Sequence, residues 1–219
     1  MNPSSLLGDV LDELLAACAA PELADDLIDA RTAWEERRGK IRQDEELWEA
    51  WSQAFLDWYV VERPRPDIPP VVVALRRSGD PVQAAVLRAL ISSQRSVFEV
   101  TAMRPGAVEL TDLIGGGQFL VHEKRALHGV SPGDIAELRL VGFGGEVLFG
   151  RTFIYHPTGT RDAIVGHARR MLGAGASRDE IMDMLAGLRV RCERYRHVSP
   201  PRVYEQGGER RPTTEPVKR

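Results

Sequence analysis

Cysteine is nearly missing from this chain: Cys18 and Cys192 are the only two among 219 residues. They fall in separate helical patterns, with no CxxC and no Cys/His ligand spacing. That excludes a disulfide framework and a cysteine-built metal centre, and leaves two reduced thiols, buried or partly so. Lysine is scarce as well, with Lys40, Lys124 and Lys218 alone among 29 basic residues, a bias of the kind GC-rich genomes produce. No apolar run approaches the roughly 20 residues that span a bilayer. The first five residues carry no basic side chain, and Gly8, Asp9, Asp12 and Glu13 interrupt the apolar positions that follow. No signal peptide and no membrane partner are therefore expected, and the expected location is cytoplasmic.

Motifs of catalysis are equally sparse. Gly115-Gly116-Gly117 is followed by Gln118-Phe119 rather than by Lys-Ser/Thr and a helix, so it reads as a hairpin turn and not a phosphate loop. Ser92 and Ser93 lie at a helix end outside any G-x-S-x-G frame, and the five histidines (His122, His128, His156, His167 and His197) have no motif spacing. On a strand, His122 and Glu123 point to opposite faces, which argues against joint metal coordination. The sequence thus nominates no catalytic residue, no cofactor and no metal ligand.

What the chain does have is a run of β-forming segments at its centre. Residues 97–103, 107–113, 118–123, 134–141 and 146–155 are rich in β-branched and aromatic side chains. Turn chemistry bounds them at Arg104-Pro105-Gly106, Gly115-Gly116-Gly117, Ser131-Pro132-Gly133-Asp134 and Gly144-Gly145. In the fourth run Ala136, Leu138 and Leu140 alternate with Glu137 and Arg139, which predicts one wet face. In the fifth, Arg151 falls in register with Val147, Phe149, Phe153 and Tyr155, and would need a partner or a rim position. Five short strands in about 60 residues suggest a small antiparallel barrel or a strongly curled sheet.

The segments Phe98-Glu99-Val100, Leu113-Ile114-Gly115-Gly116-Gly117, Val121-His122-Glu123-Lys124 and Pro132-Gly133-Asp134 resemble a β module of poorly characterised bacterial proteins sometimes associated with SEC-C motifs. The resemblance covers about a quarter of the chain and implies fold more than function. The cysteines of the SEC-C motif are absent from this sequence, so the metal or nucleic-acid role of that association is not carried over.

Helices flank the sheet. Apolar positions at three-and-four spacing predict a first helix from Leu6 to Cys18, capped by Ser4 or Ser5. A second follows over residues 22–38 with Leu23, Leu27, Ile28 and Trp34 inward, ended by Gly39. A third, over 44–62, carries Leu47, Trp48, Trp51, Phe55, Trp58 and Tyr59 as a core stripe. Four prolines make residues 64–70 a stiff connection between the helical region 1–63 and the rest. Short helices follow over 71–77 and from Pro81, the latter with Val82, Ala85, Val86, Ala89 and Leu90 inward. After the sheet, Thr160 caps a helix over 161–172, and Ser177 with Glu180 forms a capping box for another with Ile181, Met184, Leu185 and Leu188 inward. Beyond residue 198 the composition predicts a flexible basic tail, 199–219.

The fold class expected is α+β: a helical N-terminal layer, a five-stranded small antiparallel barrel or curled sheet, two C-terminal helices and the tail. Charge is uneven along it, with 15 acidic and 6 basic residues in 1–63 against 8 and 13 in 161–219. The leading functional reading is a non-enzymatic bacterial binding or regulatory adaptor acting through protein contacts. Its candidate partner-binding residues are Arg189, Arg191, Arg194, Arg196, Arg202, Arg210 and Arg211. Nucleic acid is the alternative partner, through the same arginines and the small β unit, and an enzyme of unrecognised type comes third.

Overall fold

Asn2 opens the first helix, its Oδ1 accepting the Ser4 N–H at 3.1 Å. Proline suits a first helical turn, so α1 (Pro3–Cys18) starts slightly earlier than the serines suggest, and it turns Leu7, Val10, Leu11, Leu14 and Cys18 inward. The computed structural model describes residues 2–63, 68–123 and 129–207. A single turn, Pro21–Leu23, leads into α2 (Ala24–Arg38), which Gly39 ends at a φ of 98°. Ile28 is 63% exposed rather than inward, and the buried stripe of α2 is Ala30, Trp34 and Arg38. In α3 (Trp48–Val61) the aromatic stripe is core as predicted: Trp51, Phe55 and Trp58 are buried, Trp48 is half-buried, and Trp34 meets Trp51 edge-to-face at 5.0 Å.

Of the proline-rich connection, residues 64–67 lie outside the described residues. The short α4 (Pro70–Arg77) and α5 (Pro81–Ile91) follow, the latter capped by Asp80 Oδ1, which accepts the Val82 N–H at 2.9 Å. Val86, Ala89 and Leu90 are buried as predicted, but Val82 and Ala85 face solvent instead of the core, and Ala84 and Leu87, which the pattern did not nominate, are buried in their stead.

The five predicted strands form within a few residues of their expected limits: β1 (Gln94–Arg104), β2 (Ala107–Asp112), β3 (Gln118–His122), β4 (Ile135–Phe143) and β5 (Glu146–His156). They make one antiparallel sheet in the order β3-β2-β1-β4-β5. The sheet curls, but it does not close into a barrel: β3 approaches β5 with no ladder between them. Phe98, Val100, Leu110, Val121, Leu138 and Phe149 already fill the concave side, so apolar burial is satisfied without a final strand pairing.

The other face corrects the sequence reading. β4 is buried on both sides, and Glu137 and Arg139 are 3% and 7% exposed instead of wet. Helices cover the face they occupy. Arg151 is met as expected, near an irregularity in the β4–β5 register, by Asp12 Oδ1 at 2.6 Å and by the Gly8 carbonyl of α1.

Beyond the sheet lie α6 (Arg161–Gly173) and α7 (Arg178–Arg194). The Ser177/Glu180 capping box forms as predicted, whereas the Thr160 hydroxyl donates to the Pro157 carbonyl and caps nothing. The predicted disordered tail is corrected over its first part. Pro200–Gln206 is a helix, α8, with Val203 and Tyr204 buried against α6 and α7. Tyr204 supplies the order that composition hides: its hydroxyl is 2.6 Å from His156 Nδ1, and its carbonyl is 2.6 Å from His167 Nε2. Arg170 donates to His167 Nδ1, so Nε2 carries the proton and donates to Tyr204. Residues 208–219, including Arg210 and Arg211, lie outside the described residues. Among the described residues no helix is long and apolar enough to cross a membrane.

Candidate functional site

Two charges in an otherwise apolar strand, Glu137 and Arg139 of β4, have to find partners in the helical layer, because an unpaired buried charge costs several kcal/mol. They do so in a chain of alternating sign running Asp183–Arg38–Glu137–Arg95–Glu62–Arg139. Arg38 donates to Asp183 Oδ1 at 3.2 Å and to Glu137 Oε2 at 2.5 Å. Arg95 donates to Glu137 Oε1 at 2.9 Å and grips Glu62 through Nε to Oε1 at 2.9 Å and Nη2 to Oε2 at 2.8 Å. Arg139 shares Glu62 Oε1 and reaches Ser93 Oγ at 2.9 Å. Arg95 also reaches Asp179 Oδ1, and Arg37 reaches Asp183 Oδ2, each at 3.5 Å, so four positive and four negative groups sum to zero.

Burial pushes the Glu62 carboxyl up, but the adjacent guanidinium groups of Arg95 and Arg139 outweigh it and bring it to about 2. For Glu137 too, burial opposes ionisation, and Arg38 and Arg95 overcome it and lower the pKa. Both carboxylates are ionised at neutral pH.

The chain of charges ends at a cleft of about 450 Å³ between the end of α3, the α5–β1 joint and the start of α7. Glu62, Ser93, Gln94, Arg95, Arg139 and Arg178 line it. Arg178 stands at the side with a third of its side chain exposed, and its Nη1 donates to Asp112 Oδ2 at 2.8 Å. Asp112 also accepts from Ser96 Oγ at 2.6 Å, the Ile114 N–H at 2.9 Å and Gln94 Nε2 at 2.9 Å. Burial would raise its pKa, but these donors hold the carboxyl below its usual range. Gly115 makes this approach possible: a Cβ there would lie 2.6 Å from Arg178 Nη2 and 2.7 Å from Asp112 Oδ2. Gly150 does the same for Arg139, whose Cβ and carbonyl oxygen would stand 3.0 Å and 3.2 Å from any added Cβ. The Arg139 Nε is buried with no hydrogen-bond partner.

Of the arginines nominated from sequence, Arg189, Arg191 and Arg194 lie on α7, Arg196 just beyond it and Arg202 on α8. Arg189 is folded down, Nε donating to the Tyr155 carbonyl at 2.7 Å and Nη1 to Glu193 Oε1 at 2.6 Å. Arg194 donates to the Lys40 carbonyl at 2.5 Å, and Arg196 pairs with Glu193 Oε2 at 3.3 Å. Arg191 and Arg202 are exposed. The cleft residues Glu62, Arg95, Arg139 and Arg178 were missed. The available signal was opposite charges alternating with apolar residues in a strand, which the wet-face reading absorbed.

A second depression, of about 480 Å³, lies at the sheet rim by Thr101, Arg104, Phe119 and Leu120 and has no comparable buried charge behind it. Among the described residues no group of three His, Cys, Asp or Glu could hold a metal ion. Comparison of the chain with protein-family models, curated proteins and solved structures finds no match.

Proposed function

We propose that the chain is a non-enzymatic binding protein, an adaptor that acts through contacts with a partner, and that the arginine cleft is where it reads a ligand group. The observation that carries this reading is the pre-organisation of Arg95 and Arg139: Glu137 fixes the Arg95 guanidinium and Ser93 that of Arg139, independently of Glu62 and before any ligand arrives. Groups fixed in their binding geometry lose little entropy on association. Nucleic acid is less favoured as a partner, because Arg189, Arg194 and Arg196 engage groups within the chain.

Capture from the native host, with wild type and two variants, tests the proposal. Arg178→Glu at the cleft is expected to lose the captured partner, whereas Arg191→Glu on the exposed end of α7 retains it. Loss with Arg191→Glu alone would move the contact site to the basic helix end.

A further inference from the structure

Resting on that reading of the cleft, we infer that the ligand group is a small carboxylate anion, and that the Glu62 side chain is an internal stand-in which the ligand displaces from Arg95 and Arg139. Glu62 occupies the C-cap of α3, where the negative end of the helix dipole disfavours a carboxylate. It stays because Arg95 presents the planar fork that a carboxylate fits, contacting both of its oxygens. That geometry is a carboxylate-binding site already filled by the chain itself.

Glu62 differs from its neighbour Glu137 in being able to leave. The Glu137 side chain is 4% exposed and sits in mid-strand, whereas that of Glu62 is 23% exposed and forms a wall of the open cleft. The backbone at this point is held independently, since the Arg63 N–H donates to the Trp58 carbonyl at 2.9 Å and its Nη2 to Asp26 Oδ1 at 3.0 Å. Release of Glu62 is therefore a side-chain rotation that leaves α3 in place. Electrostatics select the replacement. With Glu62 withdrawn, the network of Arg37, Arg38, Arg95 and Arg139 with Asp183, Glu137 and Asp179 holds four cations and three anions, and Arg139 is left without its carboxylate, so an anion restores the balance. The exposed part of Arg178 supplies a further donor on the same cleft.

Isothermal titration of the full chain with succinate, with acetate and inorganic phosphate for comparison, tests the inference. Wild type is expected to prefer succinate to acetate, and Arg178→Ala to lose that preference. Glu62→Gln is expected to bind succinate about tenfold more tightly, because the ligand no longer competes with an internal carboxylate. Should Glu62→Gln fail to fold, the ¹³C resonance of the Glu62 carboxylate in the wild type decides: displacement moves it to the position of a solvated carboxylate as succinate saturates. Unchanged or weaker succinate binding by Glu62→Gln, a stationary Glu62 resonance, or a preference for phosphate overturns the inference. Capture that depends on Arg178, with no carboxylate bound, overturns the ligand class and leaves the binding reading standing. Capture indifferent to Arg178 removes both.

Discussion

The Arg38 guanidinium of α2 donates to Glu137 Oε2 of β4 at 2.5 Å, and no part of the Arg38 side chain is accessible to water. This pair ties the N-terminal helices to the sheet, and Asp183 ties the same arginine to α7. Removing one member of a buried network leaves its partners uncompensated, which costs about 3–5 kcal/mol. Arg38→Met is expected to lose that much in urea unfolding. A loss under about 1 kcal/mol, the range of exposed pairs, would show that water reaches the network.

The aromatic core that surrounds this arginine is expected to be as sensitive. Trp51 is wholly buried and meets Trp34 edge-to-face at 5.0 Å. Trp51→Ala therefore leaves a large cavity and is expected to destabilise by about 3–5 kcal/mol, read as a lower denaturant midpoint at unchanged slope.

Stability should fall on mild acidification. His156 is buried, with Tyr204, Glu137, Arg38 and Arg189 as its polar surroundings; burial, helped by the two arginines and opposed by Glu137, lowers its pKa from 6.5 to about 4. Between those values the unfolded chain binds the proton and the folded chain does not, so stability rises with pH across the window. It is complete above about 6.5 and lost as pH falls toward 4, by about 3 kcal/mol in all. Below about 4.5 the loss continues as Glu62, held at about 2 in the folded state, must be protonated. In His156→Gln the dependence between pH 6.5 and 4.5 is expected to flatten while the lower part persists. An unchanged profile would assign the upper window to another group.

Ending the chain at residue 198 is expected to lower the melting temperature by several degrees, because Tyr204 is fully buried and bridges His156 and His167. Tyr204→Ala in the full chain should reproduce most of the effect, at about 3 kcal/mol, in line with other large aromatic truncations. An unchanged melting temperature in both would mean that α8 contributes little to the rest of the fold.

The strands were legible because their punctuation is local. Gly106, Gly144 and Gly145 take φ values of 76°, 64° and 82°, and such turn residues announce themselves in sequence. The Ser177/Glu180 capping box was legible for the same reason. Glu137 and Arg139 were misread because a period of two reports which residues share a face, not what covers that face. Their partners Arg38, Arg95 and Glu62 lie 99, 42 and 77 positions away, beyond any local pattern. Tyr204 was missed because one buried ring in a seven-residue helix is invisible to composition. In α2, Arg38 is core and Ile28 is not, a reversal that hydrophobicity alone does not anticipate.

The span between Arg38 and Glu137 also sets a delay during synthesis. With 99 positions between them and a ribosome adding about 5–20 residues per second, Arg38 is made about 5–20 s before Glu137. During that interval its charge has to stay hydrated, so the α2–α3 aromatic face cannot reach its final packing around it. Non-local closure of this kind slows folding. Until Glu137 arrives, Trp34 and Trp51 therefore lack the neutralised guanidinium that their final packing encloses.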